Sequence, residues 1–200
     1  MVSSAVKKYA ALCMVCLCSS LFFLGLYQFN NKYSQNTIQA ANGILALSEE
    51  ELQKSPVRFL VSGWAFYPDA LLTPEEIQDE SHYMRYLSIG DQTNFSSPAN
   101  PSPYGCGTYQ MTFFLPGRKE TYALEIPEVF SAYNLYLDHD LILQMGEPAQ
   151  RTPLVQNRMV TFHGGKPVTL TIAVSNYDHF YGGIVYPPAF GTMLAVNTTR

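Results

Sequence analysis

Gly105–Gly146 reads GCGTYQMTFFLPGRKETYALEIPEVFSAYNLYLDHDLILQMG, and its pattern decides the fold. Within Gly107–Leu115, Tyr109, Met111, Phe113 and Leu115 alternate with Thr108, Gln110, Thr112 and Phe114. A period of two marks a strand with one face buried. Pro116-Gly117 ends the run, because proline fixes φ and glycine accepts conformations that other residues resist. Leu124 and Ile126 flank Glu125 until Pro127 stops the next strand, and Tyr133, Leu135 and Leu137 alternate with Asn134 and Tyr136. Asp138-His139-Asp140 then forms a polar turn into Leu141-Ile142-Leu143. Short strands joined by tight turns specify an antiparallel sheet, so an all-β module is expected.

The flanks extend the pattern. Val168, Leu170, Ile172 and Val174 alternate with Thr169, Thr171, Ala173 and Ser175, after a Gly164-Gly165-Lys166-Pro167 turn. Gly43–Leu47, Val57–Tyr67 (with Gly63 as a bulge or close approach), Tyr83–Leu87, Met159–Phe162, Ile184–Tyr186 and Phe190–Val196 are further expected strands. Ser48 before Glu49-Glu50-Glu51 and Thr73-Pro74-Glu75-Glu76 carry helix-start chemistry: a capping hydroxyl followed by acids. Asp91–Tyr104 and Pro148–Asn157 read as loops, as does Asn176–Gly183 (NYDHFYGG), which is rich in aromatic and hydrogen-bonding groups.

Composition sets the class. The 200 residues are 47% hydrophobic and 14% aromatic, enough for a real core, but only 14% charged. Tyr9–Tyr27 holds nineteen residues without a charge, and at 1.5 Å per residue such a helix just spans a hydrocarbon core about 30 Å thick. Lys7 and Lys8 precede it and no charge follows until Lys32, so the positive-inside rule puts residues 1–8 in the cytoplasm and the rest outside. A cleaved signal peptide competes, but its apolar core would be shorter and would end in a small-x-small site. Cys13, Cys16 and Cys18 lack the small preceding residues of a lipoprotein site and read as apolar helix residues. The expected organisation is residues 1–8 cytoplasmic, 9–27 a membrane anchor, 28–42 a polar stalk and 43–200 a β-sandwich. Cys106 is the sole cysteine past the anchor, so that part forms no internal disulfide. Past residue 27, ten Lys/Arg face sixteen Asp/Glu, a net −6 that argues against nucleic acid as a partner.

Four stretches together resemble a known family: Gly63-Trp64-Ala65-Phe66-Tyr67 with Leu71-Leu72-Thr73-Pro74; Gly105–Pro116; Ala123–Tyr136; and Ser175-Asn176-Tyr177-Asp178-His179 with Gly182-Gly183. In this order they are similar to the type 2 extracellular domain of bacterial seven-transmembrane receptors with diverse intracellular signalling modules. The resemblance covers roughly residues 43 to 192. It implies a jelly-roll or galactose-binding-like sandwich that binds carbohydrates or related small molecules, placed in the periplasm and tethered to the inner membrane. In such receptors a seven-helix region and a histidine kinase or diguanylate cyclase follow; here they would lie beyond Arg200 if the chain is part of a longer one. Asp138-His139-Asp140 also departs from the family's frequent Asn-Gly turn.

Site candidates follow from chemistry. Sugar recognition needs aromatic faces and planar amide or carboxylate groups, and Asn176, Tyr177, His179 and Tyr181 offer both, with Trp64 or Tyr104 as added platforms. The plainer reading is that Asn176 ties its loop to the backbone while Tyr177 and Tyr181 cap the sandwich. Asp138-His139-Asp140 has the ligand types of a metal site but no second cluster beside it, and His163 reads as a turn residue. No metal and no cofactor are expected. Cys106 as a catalytic thiol would need an activating histidine, and Glu125 and Glu128 as a glycosidase pair would need a shared cleft, so no enzyme activity is expected in this chain. Asn94-Phe95-Ser96 and Asn197-Thr198-Thr199 match glycosylation sequons, which are uninformative if the source is bacterial. The expectation is a membrane-tethered sensory domain that binds a carbohydrate-like molecule and biases a membrane signalling partner. The alternative is a non-catalytic interaction module docking through an exposed sheet patch that includes Phe114, Tyr136 and Ile142.

Overall fold

Alternating side chains build two facing sheets in the computed structural model, which describes residues 4–30, 33, 37–79, 81–90, 102–117 and 120–198. The expected 91–104 loop therefore lies, up to Pro101, outside the described residues, as does the Asn94 sequon. The chain divides into two units, residues 1–36 and 37–200. The first is carried by α1 (Ser4–Asn30), whose segment Ala5–Tyr27 is long and apolar enough to cross a membrane. It is apolar all round rather than on one stripe, a pattern shared by membrane anchors and signal sequences.

The second unit is a β-sandwich. Its larger sheet contains β1 (Ile44–Ala46), β3 (Trp64–Pro68), β4 (Arg85–Leu87), β5 (Gly105–Phe114), β7 (Ala132–Leu137), β8 (Asp140–Met145) and β10 (Val168–Asn176) in the order β4-β3-β5-β10-β7-β8, with β1 parallel to the end of β5. The smaller sheet is β2 (Val57–Phe59), β11 (Ala189–Thr192), β6 (Thr121–Ile126) and β9 (Arg158–His163), in that order and antiparallel. Between them, Met111, Phe113, Leu170, Ile172, Leu135 and Val174 from one sheet meet Tyr122, Leu124, Ile126, Phe162 and Phe190 from the other, all buried. The Phe190 ring stacks on Tyr122 (5.7 Å, 15°) and lies 5.1 Å from Phe113. Each such side chain contributes about 1.5–3 kcal/mol by leaving water. This core carries the fold without a disulfide.

Four sequence expectations change. Val57–Tyr67 is not one strand: Gly63, at φ +81, turns the chain from the smaller sheet (β2) to the larger (β3). A Cβ there would run into the Ala40 carbonyl, so the close approach expected of this glycine is real and lies against the chain's own entry. Ile184–Tyr186 forms no strand, and Phe190–Val196 splits into β11 and the short helix α3 (Met193–Thr198). The expected stalk also contributes Thr37–Asn42 to the sandwich, because Ala40 is buried and the Arg58 guanidinium donates toward the Ile38 carbonyl. Arg58 itself is buried and also donates to Glu51 O and Ser55 O at the end of α2 (Glu49–Lys54), whose expected Ser48 cap is closed by Glu51 into a capping box.

One feature of the larger sheet has no sequence signature. Its outer face carries buried Thr108, Thr171 and Ala173, which would ordinarily meet solvent. A strap at residues 69–79 leaves β3 and crosses that face. Thr108 Oγ1 donates to Ala70 O (2.8 Å) and accepts from Leu72 N (2.9 Å), while Leu72 and Pro74 bury themselves. The strap ends in a reciprocal Thr73–Glu76 cap, and Glu75 reaches His139 at the β7–β8 turn (2.8 Å).

Candidate functional site

Register decides which loops meet. Asn176 pairs with Gly105, Ser175 with Ala132, and Tyr133 with Met145, so the C-terminal ends of β10 and β8 and the N-terminal ends of β5 and β7 share one end of the larger sheet. The described loops gathered there are 102–104, 127–131, 146–157 and 177–183.

Asn176 holds this end together. Its Nδ2 donates to Pro103 O (2.8 Å) and to His179 O (2.6 Å), and its Oδ1 accepts from His179 N (3.1 Å). Only 2% of the residue is exposed. An asparagine one position past the last apolar–polar alternation suits this role, because its short amide can mimic backbone at a turn. A second tie comes from the same strand: Ser175 Oγ donates to Pro148 O (2.7 Å), fastening the 148–150 turn to the sheet.

On this frame sit the aromatic rings. His179 stacks on Phe130 (4.6 Å, 14°), and its Nδ1 accepts from Tyr181 N (3.1 Å), which leaves the neutral ring's proton on Nε2. Tyr181 leans on His179 (5.7 Å) and is 48% exposed; Phe180 packs edge-on against Tyr181 (5.3 Å) and is 71% exposed. Tyr177 presents its ring to Arg151, whose guanidinium carbon lies 3.8 Å from the ring centroid. Tyr104 is 47% exposed beside the Pro103 carbonyl that Asn176 holds. Next to Arg151 an open groove of about 710 Å³ is lined by Gln144, Gly146, Glu147, Gln150, Thr152, Pro153 and Leu154. The arrangement can stack an apolar face and offer donors at its rim.

Five of the six expected site residues, Tyr104, Asn176, Tyr177, His179 and Tyr181, therefore come together, but not in equivalent roles. Asn176 is a buried tie with all its described bonding directed at backbone, so it shapes the site rather than facing a ligand. Trp64 lies elsewhere. It points inward from β3, fully buried, edge-on to Tyr109 (6.3 Å) and donating Nε1 to Leu60 O (2.9 Å). The reason is register: Trp64 precedes Ala65, which pairs with Gln110 in the body of the sheet. Sequence reasoning missed Phe130 and Arg151, whose positions in loops give no pattern until tertiary structure sets them against His179 and Tyr177.

The other singled-out residues are engaged separately. Asp138 accepts from Thr169 N (2.9 Å) and pairs with Lys166 (3.3 Å), while His139 turns to Glu75. Among the described residues no group of three His, Cys, Asp or Glu is placed to hold a metal. Burial pushes the Cys106 thiol up from its usual range, and Asp69 adds to the shift. By register, Tyr136 stands opposite Leu141 and Thr171, whereas Phe114 pairs with Ala46; Gln110, Thr112 and Thr169 lie between, so Phe114, Tyr136 and Ile142 do not form one patch.

No protein-family model and no curated protein matches this chain. Solved structures do. A glycosyl hydrolase family 2 member from Bacteroides cellulosilyticus is similar over 68% of this chain and 20% of its own, with TM-score 0.53 and 12% identity. The apo structure of Bacteroides uniformis beta-glucuronidase 3 is similar over 70% of this chain and 22% of its own, with TM-score 0.52 and 10% identity. The chain thus spans about a fifth of the length of these proteins. At such identity the likeness is one of fold: a sandwich domain, as the sequence resemblance implied.

Proposed function

We propose that this chain is a membrane-tethered, non-catalytic sensory domain that recognises a carbohydrate-like small molecule at the loop end of its larger sheet. The observation that carries the reading is the Asn176 tie, which fixes two loops so that Tyr104, Tyr177, Phe180 and Tyr181 stay exposed together. Exposed rings on a rigid frame suit the C–H faces of a sugar, and their fixed geometry lowers the ordering cost of binding. The motif resemblance to bacterial receptor domains supports a sensory role, and the occurrence of this sandwich type in family 2 glycosidases is consistent with a carbohydrate ligand. Lys7 and Lys8 before the apolar helix support an exported sandwich on the periplasmic side of the inner membrane. Signal would pass to a membrane partner only through a difference in ligand affinity between two states of the assembly.

The test is a thermal-shift screen of the full chain in lipid nanodiscs against neutral sugars and sugar acids. A ligand at 100 times its dissociation constant adds about 2.7 kcal/mol to folding, a visible upward shift. A hit that disappears in Tyr181→Ala supports the site; a panel without any shift counts against it. Hydrolysis of aryl glycosides by the purified chain would instead make it an enzyme.

A further inference from the structure

We infer that the loop-end site selects an anionic sugar, such as a sugar acid, over its neutral counterpart, and that Arg151 is the residue that does so. This rests on the binding role proposed above. Arg151 holds a left-handed backbone conformation (φ 63), an uncommon one for arginine. The conformation closes the 148–150 turn, with Arg151 N donating to Pro148 O (3.3 Å), and Pro148 O is in turn held by Ser175. The turn is folded back at Gly146 (φ +67), where a Cβ would collide with Thr152 O. The backbone that aims Arg151 is therefore pinned from both sides.

Its side chain is aimed as well. The guanidinium lies over the Tyr177 ring, and Arg151 is exposed, so its donors are open to solvent. Among the described residues no carboxylate stands within ion-pair distance of Arg151, and its guanidinium N–H groups make no hydrogen bond to protein there. Asp69, Glu128, Glu147 and Asp178 are the acids on the surrounding loops, and none pairs with it. This exposed cation, in a domain of net negative charge, is held on an aromatic ring. A planar guanidinium with free donors takes a carboxylate in paired fashion, whereas a hydroxyl uses only part of the fork. Tyr181 and Phe180 supply the apolar platform and Arg151 the charge, a pairing that fits a sugar ring bearing a carboxylate.

The experiment measures binding of matched pairs, glucose with glucuronate and galactose with galacturonate, to the full chain in nanodiscs at low and high salt. The expected result is at least about tenfold tighter binding of one acid than of its neutral partner, a preference that shrinks at high salt. Arg151→Asn, chosen because asparagine tolerates the left-handed conformation, should remove the preference, and Arg151→Lys should keep part of it. Tyr181→Ala should weaken acid and neutral sugar alike. Equal affinities, or a preference that survives Arg151→Asn, overturn the inference while leaving the binding role standing. If neither member of any pair binds, both readings fall. Should Arg151→Asn misfold, the salt dependence and Arg151→Lys decide between the same outcomes.

Discussion

The two ends of the larger sheet are each tied by short polar side chains, yet they are built to different purposes. At the turn end, Asp138 accepts from Thr169 N, Lys166 pairs with it, and Gly164 and Gly165 donate to Glu120 O and Leu115 O. The turns are short, and the Asp138 bonds lie at the half-exposed rim. At the loop end, Asn176 bonds two separate loops from a buried position and leaves aromatic rings in solvent. The contrast carries into the core. Tyr122, under the turn end, donates its hydroxyl to Pro116 O (2.8 Å), whereas Tyr133, under the loop end, has a buried hydroxyl without a partner among the described residues. A sandwich end that only closes the fold satisfies its polar groups turn to turn at the rim. An end that presents a surface concentrates its restraint in a few buried ties.

Asn176→Ala should have the largest effect, about 3 kcal/mol, since it removes three hydrogen bonds and strands buried backbone groups. Chemical denaturation of the chain would measure it, and a loss no greater than that of a turn-end mutant would break the contrast. Asp138→Ala should cost about 1 kcal/mol, for one backbone bond and an exposed ion pair. Tyr122→Phe should cost about 1 kcal/mol at neutral pH, whereas Tyr133→Phe should be neutral or stabilising because it removes an unpartnered buried hydroxyl.

The same tyrosine gives a pH signature. Burial raises the Tyr133 pKa from 10.0 to about 12. A group with a raised folded pKa contributes stability that is full below the unfolded value and is lost as pH rises through the folded one. Stability should therefore fall as pH climbs from about 10 toward 12, and less steeply in Tyr133→Phe, as denaturation midpoints along that range would show. The smallest effect belongs to the strap. The Glu75 carboxyl is held below its usual range first by its own backbone amide and then by His139, so this contribution is present above the usual carboxylate pKa and is lost as pH falls through the lowered one. His139→Ala should lower the melting temperature only slightly, and a large drop would show that the strap holds the outer face more tightly than its exposed clasp suggests.

Local pattern made most strands legible. Thr108–Leu115 and Val168–Ser175 alternate because one face of each is wet or strapped and the other is core, and a side-chain period of two records that directly. It misled where the partner changed: Val57–Tyr67 is continuous in composition, but Gly63 sends its halves to different sheets. Asn176–Tyr181 stood out as a candidate site by its density of amide and rings, while Trp64 drew attention by type alone and belongs to the core.

Residue pattern alone specified the period-two strands, the turn residues, the helix cap at Ser48 and the uncharged stretch Tyr9–Tyr27, because each depends on neighbours within a few positions. The tertiary structure decided what touches what: Arg151 on Tyr177, Phe130 on His179, the 69–79 strap over Thr108, and Asn176 turned inward to Pro103. These pairs lie many residues apart in the chain. They meet only because sheet register, set by burial of the core across two sheets, brings their loops to one end, and no local spacing encodes that.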